Sequence, residues 1–569
     1  MSARKKRWVI RELAPPAALA ELNQYSPLVA TLLYQRGMHE PQSATGFLSS
    51  DYKGGLHDPF LMKGMDAAAR RIATAIAEGE SIAVYGDFDA DGVTAVTLLM
   101  QAITAMGGDI QPYIPHRLHE GYGLNHVATD HLVDQGVRVL ITVDCGISNV
   151  TEVAHARAAG LDVIVTDHHT PPEILPDANA VVNPKQPGCE YPYKQLVGVG
   201  IAYKLVQALS RLGMRMALRG RDLLDVVALG TVTDLGPLTG ENRVLVKAGL
   251  ESINATQRPG LRALIVAAGL MQGNISASDI AFMLGPRLNA AGRLDDAVLA
   301  YRLLLADDYG VAQQLAAELN QANVRRKGLT TEVQKAALDQ AHELGKDANR
   351  IVLLDGEGYP AGVVGLVAAK LVEELGRPVL LMERGEETTR GSARSVPGFN
   401  MIEALTTCAD LFERFGGHSA AAGFTITNEH LPELETRLLD YAEEHLPDEL
   451  LSPALTIDAE VPLNDVTWEL LAELQALEPF GNANPQPVLM SSHVRVIGAW
   501  PRGAEGQHLK LRLDDGSGGP TYEGIAFRLG DMAQYFQRPR FIDIAYTLEA
   551  NTWNGNSTLQ LNIKDFRRA

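Results

Sequence analysis

The sequence predicts an α/β protein with four parts: a parallel-sheet domain, a long connecting helix, a smaller α/β domain and a C-terminal OB-like β-barrel. Three observations predict it. Between Ser81 and Val182, short β-branched runs alternate with Ala/Leu-rich helical stretches. From Val311 to Leu344 there is no Pro, and Gly328 is the one Gly. After Pro453, short alternating runs follow one another, spaced by Gly, Asn and Asp.

The first series reads SIAVYGD, a helix to Met106, DIQPYIP, a helix, VRVLITVD, a helix and DVIVTD, a βαβ succession and hence a parallel sheet. From about Gln195 to Asp296 the apolar steps are helical, with breaks expected at Gly236-Pro237 and Gly285-Pro286. One or two long helices follow. A second α/β segment starts at IVLLDGEG, runs through RPVLLM and GSARS to the Gly-rich GGHSAAAGFTI, and closes with a helix reaching about His445. The tail supplies five strands, in VRVIGAW, HLKLRLDD, TYEGIAFRLG, FIDIAYTLEANTW and STLQLNIKDF. The boundaries expected are 1–50 for an N-terminal extension, 51–310 for the catalytic domain with its helical part, 311–345 for the connecting helix, 346–450 for the second α/β domain and 451–569 for the barrel.

At roughly 150 residues per domain, 569 residues suit three or four domains. Apolar residues are 46% and charged residues 21%, which excludes wholesale disorder and fibrous architectures. Lys plus Arg is 50 against 69 Asp plus Glu, net −19, so no histone-like cationic coat exists. That balance leaves nucleic acid open, because clustered cations bind it and acids can hold metal ions. Cys145, Cys189 and Cys408 are odd in number and far apart, giving neither a disulfide framework nor a zinc-ribbon spacing. A reducing cytoplasm is expected, with no membrane segment, since no apolar run approaches the roughly 18 residues that span a bilayer.

Three predicted parallel strands end in acids: one runs into Asp87, Asp89 and Asp91, the next ends at Asp144, and a third ends at Asp167 with His168 and His169 following. In an open α/β sheet the ligand site lies beyond the carboxyl ends of the strands, and neighbouring strands are about 5 Å apart. A single Asp at a strand end is most often a cap or turn residue. Several crowded together raise one another's pKa unless a cation neutralises them, so a divalent metal cluster is expected. Carboxylates with imidazole and no thiolate suit Mg²⁺ or Mn²⁺, the imidazole favouring Mn²⁺. Asp234, after a predicted helix, could close the site. DFDADG fits the opening of an EF-hand loop, but Leu98 stands where its bidentate Glu is needed. DADGV resembles the nucleophile motif of haloacid-dehalogenase phosphatases, whose chemistry has no use for a later Asp-His-His.

YGDFDADG, VDCG, TDHH and ALGTVTDLGPL, in this order, resemble the four motifs of the DHH phosphoesterase superfamily, and GSARS and GGHSAAAG resemble its accessory DHHA1 phosphate-binding domain. With GYGL at Gly121–Leu124, GPRLNAAGR at Gly285–Arg293 and the β-rich tail, the chain from about residue 50 onward is similar to the RecJ family of single-strand-specific 5′ exonucleases. The resemblance implies that Asp89, Asp91, Asp144, His168 and Asp234 ligate two ions, Mn²⁺ or Mg²⁺, with Asp144 bridging them. It makes His169 a contact to the scissile phosphate and Asp87 an additional acid. It also implies single-stranded DNA as substrate, a role in DNA repair and recombination, and a single-strand DNA-binding protein and a helicase as partners. The chain departs from the pattern at Tyr85, where many relatives have His, at Gly236, and at GYPAGVVG, where Trp-His often precedes the Gly.

Arg394 and Ser392 of GSARS and His418 of GGHSAAAG are suited to gripping a phosphate. Arg287, Asn289 and Arg293 are expected to line a strand-binding groove. In residues 490–569 ten Lys/Arg face eight Asp/Glu, and Trp500, Tyr522, Phe527, Tyr535, Phe541, Tyr546 and Trp553 interleave with them, as in a stacking platform for single strands. The function expected is hydrolysis of single-stranded DNA from the 5′ end to 5′-mononucleotides by two-metal catalysis. Its rivals are a DHH phosphodiesterase of cyclic dinucleotides or short oligonucleotides, which would not need the barrel, and a catalytically dead replication scaffold, which would have lost ligands.

Overall fold

A computed structural model describes residues 6–49, 51–117, 119–536, 538–553 and 555–569. Residues 1–5, and the side chain of Trp553, lie outside the described residues. Contacts divide the chain into two units, one of residues 45–325 with 479–485, the other of residues 1–44, 326–478 and 486–569.

The first unit is built on a five-stranded sheet in the order Ile110–Tyr113, Ile82–Gly86, Val139–Val143, Asp162–Thr166, Ala180–Val182, parallel throughout. The fifth strand, three residues long, adds to the four legible as apolar runs. Alternation along each strand feeds two cores: Ile82, Val84, Val139, Ile141 and Ile164 face one, while Ala83, Tyr85, Leu140, Val163 and Val165 face the other. Tyr85 belongs to that second core. Its ring stacks on Tyr113 with centroids 5.2 Å apart, and its hydroxyl donates to the Gly123 carbonyl at 2.8 Å.

Helices Gly198–Arg211 and Leu224–Thr233 are buried along most of their length and pack with Ala90–Ala105 behind the sheet's carboxyl edge. Gly236-Pro237 ends a helix as expected. Gly285-Pro286 does not interrupt the helical path: the chain passes through a π turn, Ile280–Leu284, directly into helix Gly285–Leu294. Pro286 sits in the first turn of that helix, where its missing N–H costs least.

The helix Tyr309–Glu343 is a single element of 35 residues. In the second unit, a five-stranded sheet runs Phe412–Gly417, Ala421–Thr427, Thr388–Arg394, Val379–Arg384, Val352–Glu357, with only the last pair parallel. The C-terminal strands close on themselves: Leu489–Arg502, His508–Asp514, Tyr522–Ala526, Asn556–Arg568 and Arg540–Trp553 pair in turn, and the last returns to the first. This is a five-stranded closed barrel of OB type. Arg7–Ile10 pairs in parallel with Ala454–Ile457, so the N-terminal segment is tied to the same unit as the barrel.

Candidate metal centre and nucleic-acid interface

Gly86, Val143 and Thr166 are register partners across three adjacent strands, so the residues that follow them, Asp87, Asp144 and Asp167, leave the sheet edge level with one another. Asp144 turns there with φ 60, a left-handed conformation that Asp tolerates better than most residues. Its backbone N–H donates to the Thr166 carbonyl at 3.1 Å, and its own carbonyl accepts from the Tyr122 hydroxyl at 3.3 Å. A side chain at Gly198 would meet the Asp144 Cβ at 2.6 Å, so the start of helix Gly198–Arg211 can lie against this turn only because residue 198 is Gly.

Two helix N-termini hold the first pair of acids. Asp89 caps helix Ala90–Ala105, accepting from the N–H groups of Asp91 and Gly92 at 2.9 and 3.1 Å. Asp91, buried, accepts from Gly198 and Val199 at 2.6 and 2.8 Å, the opening of the next buried helix. Asp234 stands at the end of helix Leu224–Thr233. His168 Nε2 lies 3.0 Å from Asp144 Oδ1, 3.7 Å from Asp234 Oδ2 and 4.0 Å from Asp91 Oδ2.

Thus Asp89, Asp91, Asp144, His168 and Asp234 converge, with Asp87 beside them. Three sets of donors, Asp91/His168/Asp234, Asp87/Asp89/Asp144 and Asp144/His168/His169, each lie within 4.8 Å of one another. Asp87 Oδ1, Asp144 Oδ1 and His168 Nε2 are buried and, among the described residues, make no hydrogen bond, the 3.0 Å approach of the last two included, since a neutral imidazole protonated at Nδ1 offers Nε2 only as an acceptor. Burial, and after it the neighbouring carboxylates, pushes Asp91 up to about 7 and Asp234 up to about 9, and lifts Asp87 and Asp144 well above the usual carboxylate range. Burial, with His169 next to it, lowers His168 to about 3, leaving a neutral imidazole whose Nε2 faces the acids. Buried oxygens and one imidazole nitrogen without partners fit hard divalent cations. Cys145 contributes no donor, since its thiol is buried against the Tyr85 carbonyl.

Asp167, quoted above as a strand end but left out of the ligand set, takes a different part. Its carboxylate accepts from His168 N–H, His169 N–H and Ile147 N–H at 2.7, 3.0 and 2.9 Å, and from His169 Nδ1 at 2.7 Å. Burial alone would raise Asp167, but these bonds outweigh it and hold it below the usual range. Burial alone would lower His169, but Asp167 outweighs it and raises the imidazole.

Three more residues reach this edge without having been singled out. Tyr122 OH lies 3.1 Å from His169 Nδ1. Lys185 Nζ donates to the His168 carbonyl at 2.5 Å. Arg117 covers the Phe88 ring at 4.7 Å and faces the charges of Asp87 and Asp89. Tyr122 was visible within GYGL. Arg117 and Lys185 are single cations with no pattern to mark them.

GPRLNAAGR, expected to line a strand-binding groove, forms helix Gly285–Leu294. The Asn289 carboxamide oxygen accepts from Ala90 N–H at 2.7 Å, fastening the acid-bearing turn. The Arg287 side chain is buried, with Nε on Asn320 Oδ1 at 3.1 Å and Nη1 on the Met283 carbonyl at 2.6 Å, so these donors are already used. Arg293 is half-buried on the same helix.

In the second α/β domain, Arg394 Nη1 donates to Ser392 Oγ and to the Ala393 carbonyl, both at 2.8 Å. A Cβ at Gly365 would lie 2.9 Å from Arg394 Nη2, so the helix Ala361–Leu375 closes on the guanidinium there. His418 is exposed in the turn that returns to Ala421, the strand partner of Arg394. On the barrel, Trp500, Phe527, Tyr535 and Phe541 are exposed, whereas Tyr522 and Tyr546 are core. Arg512 and Arg540 lie over Trp500 and Tyr535, while Arg495, Lys510 and Arg567 are paired with acids.

A parallel sheet whose strand ends gather buried, partnerless carboxylate and imidazole donors, followed by a mixed α/β domain with an arginine–serine pair, defines a metal-dependent phosphoesterase of the DHH class. The DHH family N-terminal domain matches residues 81–231, the DHHA1 domain residues 348–446 and the RecJ OB domain residues 457–565. The single-stranded-DNA-specific exonuclease RecJ of Bacillus subtilis is 39% identical over 99% of this chain and 71% of its own length. The crystal structure of RecJ from Thermus thermophilus in complex with Mn²⁺ is 32% identical, covers 99% of this chain and 80% of that one, and superposes with a TM-score of 0.82. The same protein in complex with Mg²⁺ is 31% identical, covers 99% and 78%, and gives 0.77. The chain belongs to the RecJ family of exonucleases.

Proposed function

We propose that this chain is a metal-dependent exonuclease that hydrolyses single-stranded DNA from the 5′ end and releases 5′-mononucleotides. The observation that carries the proposal is the set of buried donors without partners, Asp87 Oδ1, Asp144 Oδ1 and His168 Nε2, at level ends of adjacent strands. Asp89, Asp91, Asp144, His168 and Asp234 would hold Mn²⁺ or Mg²⁺, with Asp87 supporting. Such ions, when bound, activate water and neutralise charge on the departing oxygen. His169, its Nδ1 fixed on Asp167, would use Nε2 as a donor to the scissile phosphate. Arg394, Ser392 and His418 grip the terminal phosphate, and the exposed aromatics of the barrel stack on bases further along the strand.

No helix among the described residues is long and apolar enough to cross a membrane. Work in the cytoplasm beside a single-strand DNA-binding protein and a helicase, in repair and recombination, accords with this reading. The domain limits that go with it are those stated above, from 51–310 for the DHH part to 451–569 for the barrel. The test is release of nucleotides from single strands labelled at the 5′ or the 3′ end, in Mn²⁺, Mg²⁺ and EDTA. The 5′ label is expected to leave first as a mononucleotide, with no release in EDTA. Earlier release of the 3′ label would overturn the polarity, and undiminished release in EDTA would overturn the metal centre.

A further inference from the structure

The loop Pro479–Pro485 lies within the stretch matched by the RecJ OB domain, yet its contacts place it in the unit of residues 45–325. It is closed on itself. Gly481 and Asn484 exchange backbone hydrogen bonds at 2.9 and 3.1 Å, Ala483 adopts φ 58, and the buried Asn484 side chain donates to the Pro479 carbonyl at 2.8 Å. From the tip of this loop, Asn482 reaches the segment after Asp234. Its Nδ2 donates to the Leu235 carbonyl at 2.6 Å, and its own carbonyl accepts from Leu238 N–H at 2.8 Å. Gly481 permits the approach, since a Cβ there would stand 2.6 Å from Leu238 Cδ1.

Leu235 is what gives this contact its consequence. Helix Leu224–Thr233 ends in a Schellman arrangement, with Gly236 N–H on the Thr231 carbonyl at 2.9 Å and Leu235 N–H on the Val232 carbonyl at 3.2 Å. In that arrangement the left-handed position is usually Gly. Here it is Leu235, at φ 57, and the side chain is 66% exposed, so little packing compensates for the strained backbone. A Cβ on Gly236 would meet Val197 Cγ1 at 2.7 Å, so the residue after Leu235 is packed too closely for a side chain. Asp234 is the residue immediately before the strained one, and its Oδ2 lies 3.7 Å from His168 Nε2.

We propose that Asn482 is a positioning residue for Asp234: by holding Leu235 left-handed it keeps that carboxylate turned into the acid cluster. A loop from the barrel portion of the sequence thereby sets the metal affinity of the catalytic sheet. This rests on the assignment of Asp234 as a metal ligand. Without Asn482 the helix end relaxes, and binding must first restore the strained conformation, so apparent affinity falls by the competent fraction.

The test is Mn²⁺ titration of the full chain, with free Mn²⁺ read by electron paramagnetic resonance and no DNA present. Asn482→Ala is expected to weaken binding roughly 5- to 30-fold, the factor that corresponds to a left-handed non-glycine residue. Leu235→Gly in the Asn482→Ala background is expected to restore it to within about 2-fold, because Gly adopts this conformation freely. A purely structural role for Asn482 would not be reversed in this way. Asp234→Asn serves as reference: if it binds Mn²⁺ as the wild type does, the ligand assignment fails and this proposal with it. If Asp234→Asn weakens binding but Asn482→Ala does not, or if Leu235→Gly fails to restore it, the positioning role alone is overturned.

Discussion

Asp167 Oδ1 accepts a hydrogen bond from His169 Nδ1 at 2.7 Å while the same carboxylate is held by three backbone N–H groups. The imidazole is therefore oriented by a rigid acceptor, which leaves Nε2 as the nitrogen for the proposed contact to the scissile phosphate.

Asp167→Asn should keep the fold and lower kcat by roughly 10²-fold or more, by analogy with the loss when an orienting carboxylate is neutralised. Since Asp167 is what raises His169, its loss should also move the alkaline limb of the kcat profile to lower pH. A profile unchanged in position would separate Asp167 from the titration of His169.

Asp144→Ala should abolish hydrolysis and Mn²⁺ binding, leaving single-strand affinity within a few-fold, because the exposed aromatics proposed to stack on bases are on another part of the chain. Turnover above about a tenth of wild type would remove Asp144 from the centre of the site.

The metal-free protein should lose thermal stability as pH rises from about 4 towards 9. Asp91 at about 7 and Asp234 at about 9 are raised above the ordinary carboxylate value, so the folded state holds protons that the unfolded state has released, and the stability they contribute is lost as pH passes through the folded values. Mn²⁺ should reverse the trend, binding more tightly as pH rises and releasing protons near neutrality. Calorimetric titrations in buffers of different ionisation enthalpy would count those protons. A proton-neutral binding would contradict the raised carboxylates.

Trp500→Ala and Phe541→Ala should each weaken binding to long single strands by about 1–3 kcal/mol, while Tyr546→Ala should destabilise the barrel, because the first two are exposed and the third is not. Point substitutions are the sharper test here, since cutting the chain at Pro453 would also unpair Arg7–Ile10 and remove the loop that carries Asn482.

Arg394→Ala should lower the preference for 5′-phosphorylated over 5′-hydroxyl ends by ~5- to 150-fold, the equivalent of ~1–3 kcal/mol of charge-assisted hydrogen bonding, with Mn²⁺ affinity unchanged. Comparing kcat/KM on the two end chemistries measures it. An undiminished preference would turn attention to Arg117, which already faces Asp87 and Asp89.

Asp87, Asp144 and Asp167 are legible because each ends a short β-branched apolar run within a βαβ succession, and the barrel strands because alternation survives in HLKLRLDD and STLQLNIKDF. Local pattern carries no record of where donors are spent. Asn289 and Arg287 read as free polar groups, yet the fold directs them to Ala90 and Asn320. Ala180–Val182 is too short to show periodicity. The contact of Asn482 with Leu235 joins positions far apart in the chain, and nothing at either end announces the other. Gly285-Pro286 reads as a stop, but a π turn leads directly into the next helix.

The pairing of Arg7–Ile10 with Ala454–Ile457 has a consequence for biosynthesis. The first of these strands leaves the ribosome about 450 residues before its partner. At roughly 5–20 residues per second, its open edge waits on the order of 20–90 s for completion. During that interval the strand is a nascent sticky end. The neighbouring cations Lys6, Arg7 and Arg11 would discourage it from pairing with another unfinished chain.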